Sequence, residues 1–135
     1  MNKEILFRGK RVDNNEWVFG DLIASKNKYY IHPQGNSFQV DGVLSRLIVL
    51  HEVKSETVGQ YTGLTDKNGN KIFEGDIVKC LSLENGYVNK EVYYAEDRAR
   101  FVLGSLGSDY DFEEYINVEV IGNIYDNPEL LHNGD

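Results

Sequence analysis

The stretch Glu56-Thr-Val-Gly-Gln-Tyr-Thr-Gly-Leu-Thr-Asp-Lys-Asn-Gly-Asn-Lys-Ile-Phe-Glu-Gly-Asp-Ile-Val78 is the most densely patterned part of the chain. Short β-favouring runs alternate here with two turn signals, residues 66–69 and residues 74–76. An Asp side chain bonds to the backbone just ahead of it and Asn-Gly accepts positive φ, so residues 66–69 predict a hairpin turn. Very short strands joined by tight turns are typical of a small, sharply bent β-barrel or β-sandwich.

The rest of the chain continues this pattern. We expect about ten short strands, no helix longer than a few turns, and one closing helical turn at residues 127–131. The best place to divide the chain lies near residues 54–57, which predicts an N-terminal β subdomain, 1–55, and a C-terminal one, 56–135. Gly9 and Gly20 interrupt the first two strands, where glycine often marks a bulge or a close approach of backbones. The longest apolar run, residues 43–53, is expected to form a buried strand, with a turn of helix at residues 42–46 as the alternative, and residues 104–109 are expected to form a loop.

Length and composition describe an ordinary globular protein. The 135 residues suffice for one domain or two small barrels, and 41% hydrophobic with 27% charged residues is typical. The single cysteine, Cys80, excludes an intramolecular disulfide. The first residues lack the apolar core of a signal peptide, and no apolar run is long enough to cross a membrane. We therefore expect a cytoplasmic protein without a membrane partner.

The charge is distributed unevenly. Residues 1–53 carry 7 Lys or Arg and 6 Asp or Glu, whereas residues 54–135 carry 7 and 16, so the second part accounts for the net charge of −8. Such acidity argues against phosphate binding by that part, because nucleic-acid binding rests on Lys and Arg. A solubilising surface is the simplest interpretation. An acidic face for a basic partner, or a mimic of nucleic acid, is the alternative.

Motifs for metal and phosphate sites are missing from the sequence. The three histidines do not have ligand spacing among themselves or with Cys80. Asp66-x-Asn68-x-Asn70 opens like a calcium loop, but Lys71 stands where Gly is needed and Ile77 where Glu is needed. No glycine-rich phosphate loop occurs. The sequence therefore predicts no metal site and no cofactor.

Catalytic residues are not predicted either. Cys80 lies in an apolar strand and is expected to be a core thiol. Glu74 and Asp76 flank Gly75 at a tight turn, where a carboxylate usually accepts hydrogen bonds from backbone amides.

One cluster combines basic and aromatic side chains, and it lies across the first predicted hairpin. Several aromatic residues, Phe19 among them, could stack on bases, but most are expected to pack in the core. The candidate binding face comprises Arg8, Lys10, Arg11 and Trp17.

Four sequence blocks follow one another along the chain. They are Leu6-Phe-Arg-Gly-Lys-Arg with Trp17-Val-Phe-Gly20, then Thr57 to Gly69, then Ile72-Phe-Glu-Gly-Asp-Ile-Val78, and last Val120-Ile-Gly-Asn-Ile-Tyr-Asp-Asn-Pro-Glu-Leu-Leu131. In this order they resemble the YopX family of phage and prophage proteins. The blocks span nearly the whole chain, although residues 27–53 contain none. The resemblance implies a bacterial or phage origin, a cytoplasmic location and a C-terminal SH3-like β-barrel. It supplies no activity, cofactor or catalytic residue.

Three functions follow as hypotheses. The first is a non-catalytic protein-interaction or self-assembling module, whose partner is another protein or a second copy. The first alternative is a nucleic-acid-associated accessory protein that uses the cluster around Trp17. The second alternative, a divalent-metal hydrolase, rests only on the abundance of Asp and Glu.

Overall fold

The computed structural model describes residues 4–33, 49–82, 86–96, 99–105, 108–110 and 116–132. Within these ranges the protein is mainly β, as predicted, with a 3-10 turn at Ser55–Thr57 and one short helix. The strands are β1 (Phe7–Lys10), β2 (Trp17–Ser25), β3 (Lys28–Pro33), β4 (His51–Val53), β5 (Gly59–Thr65), β6 (Lys71–Phe73), β7 (Asp76–Ser82), β8 (Gly86–Ala95), β9 (Arg100–Ser105), β10 (Ser108–Tyr110) and β11 (Ile116–Asn123); the helix is α1 (Glu129–His132).

The chain divides into two compact units, Met1–Gln60 and Tyr61–Asp135. The boundary falls inside β5, whose first residues pair with β1 and whose Tyr61 and Thr65 pair with β6. By composition the first unit carries 8 Lys or Arg and 7 Asp or Glu, and the second 6 and 15. The charge asymmetry thus separates the two units. The division at residue 55 stays a prediction.

The first unit is an antiparallel sheet in the order β4-β3-β2-β1, to which β5 adds. The ends of β1 and β4 also meet: Arg11, just after β1, bridges Val53 of β4, and the N–H of Lys54, just after β4, donates to the Lys10 carbonyl of β1 at 2.8 Å. Among the residues of this unit that the structure describes, the buried hydrophobic ones are Leu6, Ile31 and Val53. These contacts fix the position of β1, which carries part of the candidate site.

Two glycines permit close approach within this sheet. A Cβ atom on Gly9 would lie 2.9 Å from the Val53 side chain, and one on Gly20 would lie 2.0 Å from the His32 carbonyl oxygen. Real Cβ atoms do not come this close, so any side chain here would force strands apart. The predicted close approach of backbones is confirmed at Gly20, whereas the close neighbour of Gly9 is the side chain of Val53.

The second unit contains an antiparallel sheet in the order β10-β9-β8-β7-β11. One buried hydrophobic cluster of the described part of this unit comprises Ile72, Val78, Cys80, Val92 and Leu103. Burial raises the pKa of the Cys80 thiol to about 11, against a smaller opposite effect of Lys90, so the thiol stays protonated as a core residue. The prediction of a core thiol is confirmed.

Some predictions fail or fall outside the described residues. Gly104 and Ser105 belong to β9, and Ser108 and Asp109 belong to β10, so the predicted loop at 104–109 is wrong at these four residues. Of the apolar run 43–53, residues 43–48 lie outside the described part, and only His51–Val53 is a strand within the rest. The sheets of the described residues do not form a closed barrel, so the SH3-like assignment stays a prediction.

The turn at residues 66–70 is built around a buried carboxylate. Asp66 is 6% exposed, and its Oδ1 accepts the backbone N–H of Asn68 at 2.9 Å and of Asn70 at 2.8 Å. Its Oδ2 accepts the N–H of Val120 in β11 at 2.9 Å. Gly69 has a φ of +86°, as the predicted turn requires. The side chain that shapes the turn therefore also fastens it to a strand 54 residues away.

The hydrogen bonds set the protonation of Asp66. Burial alone would raise its pKa, but the amides of Val120, Asn70 and Asn68 outweigh burial and lower the pKa below the ordinary value of 3.8. Asp66 is therefore a charged structural residue.

The second predicted turn, at residues 74–76, is also stabilised by a buried carboxylate that accepts a backbone N–H. Gly75 has a φ of +93°, and the buried Asp76 accepts the Phe73 N–H with its Oδ2 at 2.7 Å. The predicted carboxylate-to-amide bond is confirmed for Asp76.

Asp66→Asn tests the buried turn. Both carboxylate oxygens of Asp66 accept N–H groups. The Asn side chain has an NH₂ group in place of one of these oxygens, and that NH₂ group then faces a hydrogen-bond donor. We expect the free energy of unfolding to fall by about 2–4 kcal/mol in urea denaturation at pH 7. The control Glu96→Gln, which removes an exposed carboxylate, should change nothing measurable.

The contribution of Asp66 to the free energy of unfolding depends on pH, and the direction of this dependence follows from the lowered pKa. The folded pKa of Asp66 is lowered, so its contribution is present above the unfolded pKa of about 3.8 and disappears as the pH falls through the folded value. The stability difference between wild type and Asp66→Asn should therefore shrink below about pH 4. A difference that stays constant down to pH 2 would contradict this account.

Candidate functional site

The first hairpin places most of the predicted cluster on one face of the sheet. Lys10 lies directly opposite Trp17, and Arg8 lies opposite Phe19. Residues directly opposite in an antiparallel pair share a face, so these four side chains lie together. Alternation along β2 adds Asp21 and Ile23, and pairing with β3 adds Tyr30 opposite Ile23. We call this surface the Trp17 face; it comprises Arg8, Lys10, Trp17, Phe19, Asp21, Ile23 and Tyr30.

Two cations surround the indole ring. The guanidinium carbon of Arg8 lies 4.6 Å from the centroid of the Trp17 ring, and the Lys10 ammonium nitrogen lies 5.6 Å from it. Both distances are within the range of a cation–π interaction. Arg8 is only 6% exposed. Its charge therefore supports the indole from inside the protein and is poorly placed to reach a phosphate.

Arg11, the fourth predicted residue, is engaged elsewhere. Its Nε donates to Asp13 Oδ1 at 2.9 Å, and its Nη2 donates to Asp13 Oδ2 at 2.6 Å. These shared hydrogen bonds raise the pKa of Arg11 and lower that of Asp13. Arg11 lies three residues after Arg8. Because side chains alternate between the two faces of a strand, Arg11 falls on the face opposite to Arg8. The structure thus brings Arg8, Lys10 and Trp17 together without Arg11.

Large apolar side chains on the Trp17 face are open to solvent. Phe19 is 43% exposed and Ile23 is 39% exposed, while Trp17 and Tyr30 are half-buried. The sequence pattern indicates Phe19 only as one of several aromatic residues and does not indicate Ile23. The alternation of Trp17, Phe19, Asp21 and Ile23 was the signal that could have identified them.

Negative charge also lies on this face. The Asp21 side chain is 62% exposed, and its Oδ2 lies 3.9 Å from His32 Nδ1 on the neighbouring strand. Glu52 on β4 is opposite Tyr30 and extends the same face. The Trp17 face therefore combines cations opposite Trp17 and Phe19 with an anion at Asp21, four positions after Trp17 on β2.

Other kinds of site find no support in the described ranges. Among the residues that the structure describes, no three His, Cys, Asp or Glu side chains are grouped so that they could hold a metal ion. No helix in this part of the chain is long and apolar enough to span a membrane.

A comparison with protein-family models identifies the family of this chain. The family model described as YopX protein matches residues 6–132. Among solved structures, the chain is similar to protein EF1440 from Enterococcus faecalis, with 25% sequence identity and a TM-score of 0.55. That match covers 96% of this chain and 99% of the other. A comparison with curated proteins finds no match.

Arg8 and Arg11 should respond differently to the same substitution. Arg8→Met removes a buried cation from Trp17, and we expect the free energy of unfolding to fall by about 1–2 kcal/mol. Trp17 is the only tryptophan, so its emission should shift as well. Arg11→Met, the control, removes an exposed ion pair and should leave both stability and emission unchanged. Equal effects of the two substitutions would contradict the assignment of Arg8 as the cation that supports Trp17.

Proposed function

The chain belongs to the YopX family, and from this premise we propose that it is a non-catalytic protein-interaction or self-assembling module. The exposure of Phe19 and Ile23 beside Trp17 on one face of the first unit carries this proposal. Single exposed apolar residues are common, but several on one face are typical of a binding surface.

The composition of the Trp17 face fits a protein partner. The well-packed centres of protein interfaces are enriched in aromatic residues and Arg, and a few such residues supply most of the binding energy. Here Trp17 is held by Arg8, while Phe19 and Ile23 remain accessible. Lys10 and Asp21 add charges of opposite sign, which would fix the orientation of a partner.

Binding of nucleic acid is the second candidate, and the contact between Lys10 and Trp17 favours it. A base could stack on the indole while the ammonium contacts a phosphate. Against it, Arg8 is buried, Arg11 is paired with Asp13, and the second unit carries nine more acidic than basic residues. Titration of Trp17 fluorescence with short DNA and RNA at about 50 mM salt separates the candidates, because phosphate contacts are strong there. No change in emission would remove this candidate.

Origin and location belong to the same proposal. The resemblance of the four sequence blocks supports a phage or prophage protein that works in the cytoplasm of its bacterial host. The structural similarity to a protein of Enterococcus faecalis supports a bacterial setting. We keep the SH3-like barrel of residues 56–135 as part of this proposal. The hydrolase alternative gains no support from the described residues, which lack a cluster of metal ligands.

Affinity capture from lysate of phage-carrying bacteria tests the proposed function. The wild-type chain should retain a specific partner or its own second copy. The double variant Phe19→Ser/Ile23→Ser should lose this capture, because it removes the exposed apolar side chains from the Trp17 face.

The matched control is Leu64→Ser/Tyr87→Ser, which removes two exposed apolar residues of the second unit. This control should capture as well as wild type. Capture that is equal in both double variants, or a wild-type chain that retains nothing and does not self-associate, would contradict the proposal.

A further inference from the structure

We propose that the Trp17 face binds the same face of a second copy, so that two chains form a dimer with twofold symmetry. This inference rests on the proposed function and names the partner. A twofold interface uses one patch twice, and the patch must therefore complement itself after a half-turn.

The order of residues along β2 satisfies this condition. Trp17, with Lys10 opposite it, lies two positions before Phe19, and Asp21 lies two positions after it. Successive residues on one face of a strand are about 6.6 Å apart, so the positive and negative ends lie at similar distances from Phe19. A twofold axis at Phe19 would place Lys10 of each chain against Asp21 of the other.

The apolar residues suit the same arrangement. With the axis at Phe19, its ring meets the Phe19 ring of the second copy, and such aromatic pairs favour offset or edge-to-face packing. Ile23 is also exposed on this face and can contact the second copy beyond the charged pair. Both apolar groups would leave water, which drives association.

The charges of the face explain why association can occur between acidic chains. Each chain carries a net charge of −8, so two copies repel each other at long range. Contact through the Trp17 face pairs Lys10 with Asp21 twice, and the Asp21 side chain is sufficiently exposed to reach a partner. Complementary charges of this kind select orientation and partner more than they add affinity. We therefore expect a weak dimer.

Charge reversal tests the inference by sedimentation equilibrium. Wild type should dimerise reversibly between roughly 10 µM and 1 mM, the range of weak contacts. Lys10→Glu and Asp21→Lys should each raise the dimer dissociation constant by about tenfold or more, because each places like charges opposite each other. Lys79→Glu, which reverses an exposed charge of the second unit, should dimerise like wild type.

The most direct test is to mix the two charge-reversed variants. Lys10→Glu and Asp21→Lys chains should form a heterodimer, because the Glu at position 10 of one meets the Lys at position 21 of the other, and both remaining charges also match. The double variant Lys10→Glu/Asp21→Lys should regain self-association. Recovery in the mixture also shows that both variants are folded.

Three results would overturn the inference: a wild type that stays monomeric up to 1 mM, single variants that dimerise like wild type, or a mixture that does not associate. A monomeric wild type that still captures another protein through Phe19 and Ile23 would leave the proposed function standing. A wild type that stays monomeric and captures no other protein would contradict both the dimer and the proposed function.

Discussion

The second unit depends on one buried carboxylate. Asp66 accepts N–H groups from Asn68, Asn70 and Val120, and its contact with the side-chain amide of Asn70 adds a fourth hydrogen bond. β11 lies at the edge of its sheet, and the 66–70 turn covers the exposed backbone there, helped by the Lys67 N–H that donates to the Val118 carbonyl at 3.0 Å. An uncovered edge strand invites pairing with other chains, so this contact protects the fold as well as stabilising it. A motif that resembles the opening of a calcium loop thus has a structural use.

Local chemistry was predictable from the sequence and distant pairing was not. The Asp-x-Asn-Gly pattern predicts the turn because its hydrogen bonds join residues two to four positions apart. Nothing in the pattern points to Val120, since a side chain that bonds a distant strand leaves no periodic signal. β10 was missed for the same reason: Ser-Asp-Tyr has weak strand propensity and becomes a strand only through pairing with β9.

The candidate site was predicted in part. The first predicted hairpin brings β1 beside β2, so the meeting of Lys10 and Trp17 follows from the hairpin and its register. The exclusion of Arg11 also follows from strand alternation, which separates positions 8 and 10 from position 11. The burial of Arg8 beneath the indole depends on how the two side chains pack, and no sequence pattern encodes that. The sequence predicts a basic binding surface, whereas the structure shows an apolar surface that carries charges of both signs.

Amide hydrogen exchange at Val120, followed by NMR, tests the central claim most directly. This N–H faces the outer edge of β11, where its acceptor is Asp66 and no further strand pairs in the described residues. We expect slow exchange in wild type, comparable with the paired amides of β7, and much faster exchange in Asp66→Ala, which removes both acceptor oxygens. Fast exchange at Val120 in the wild-type protein, or protection that survives Asp66→Ala, would show that the carboxylate does not hold the turn to the strand.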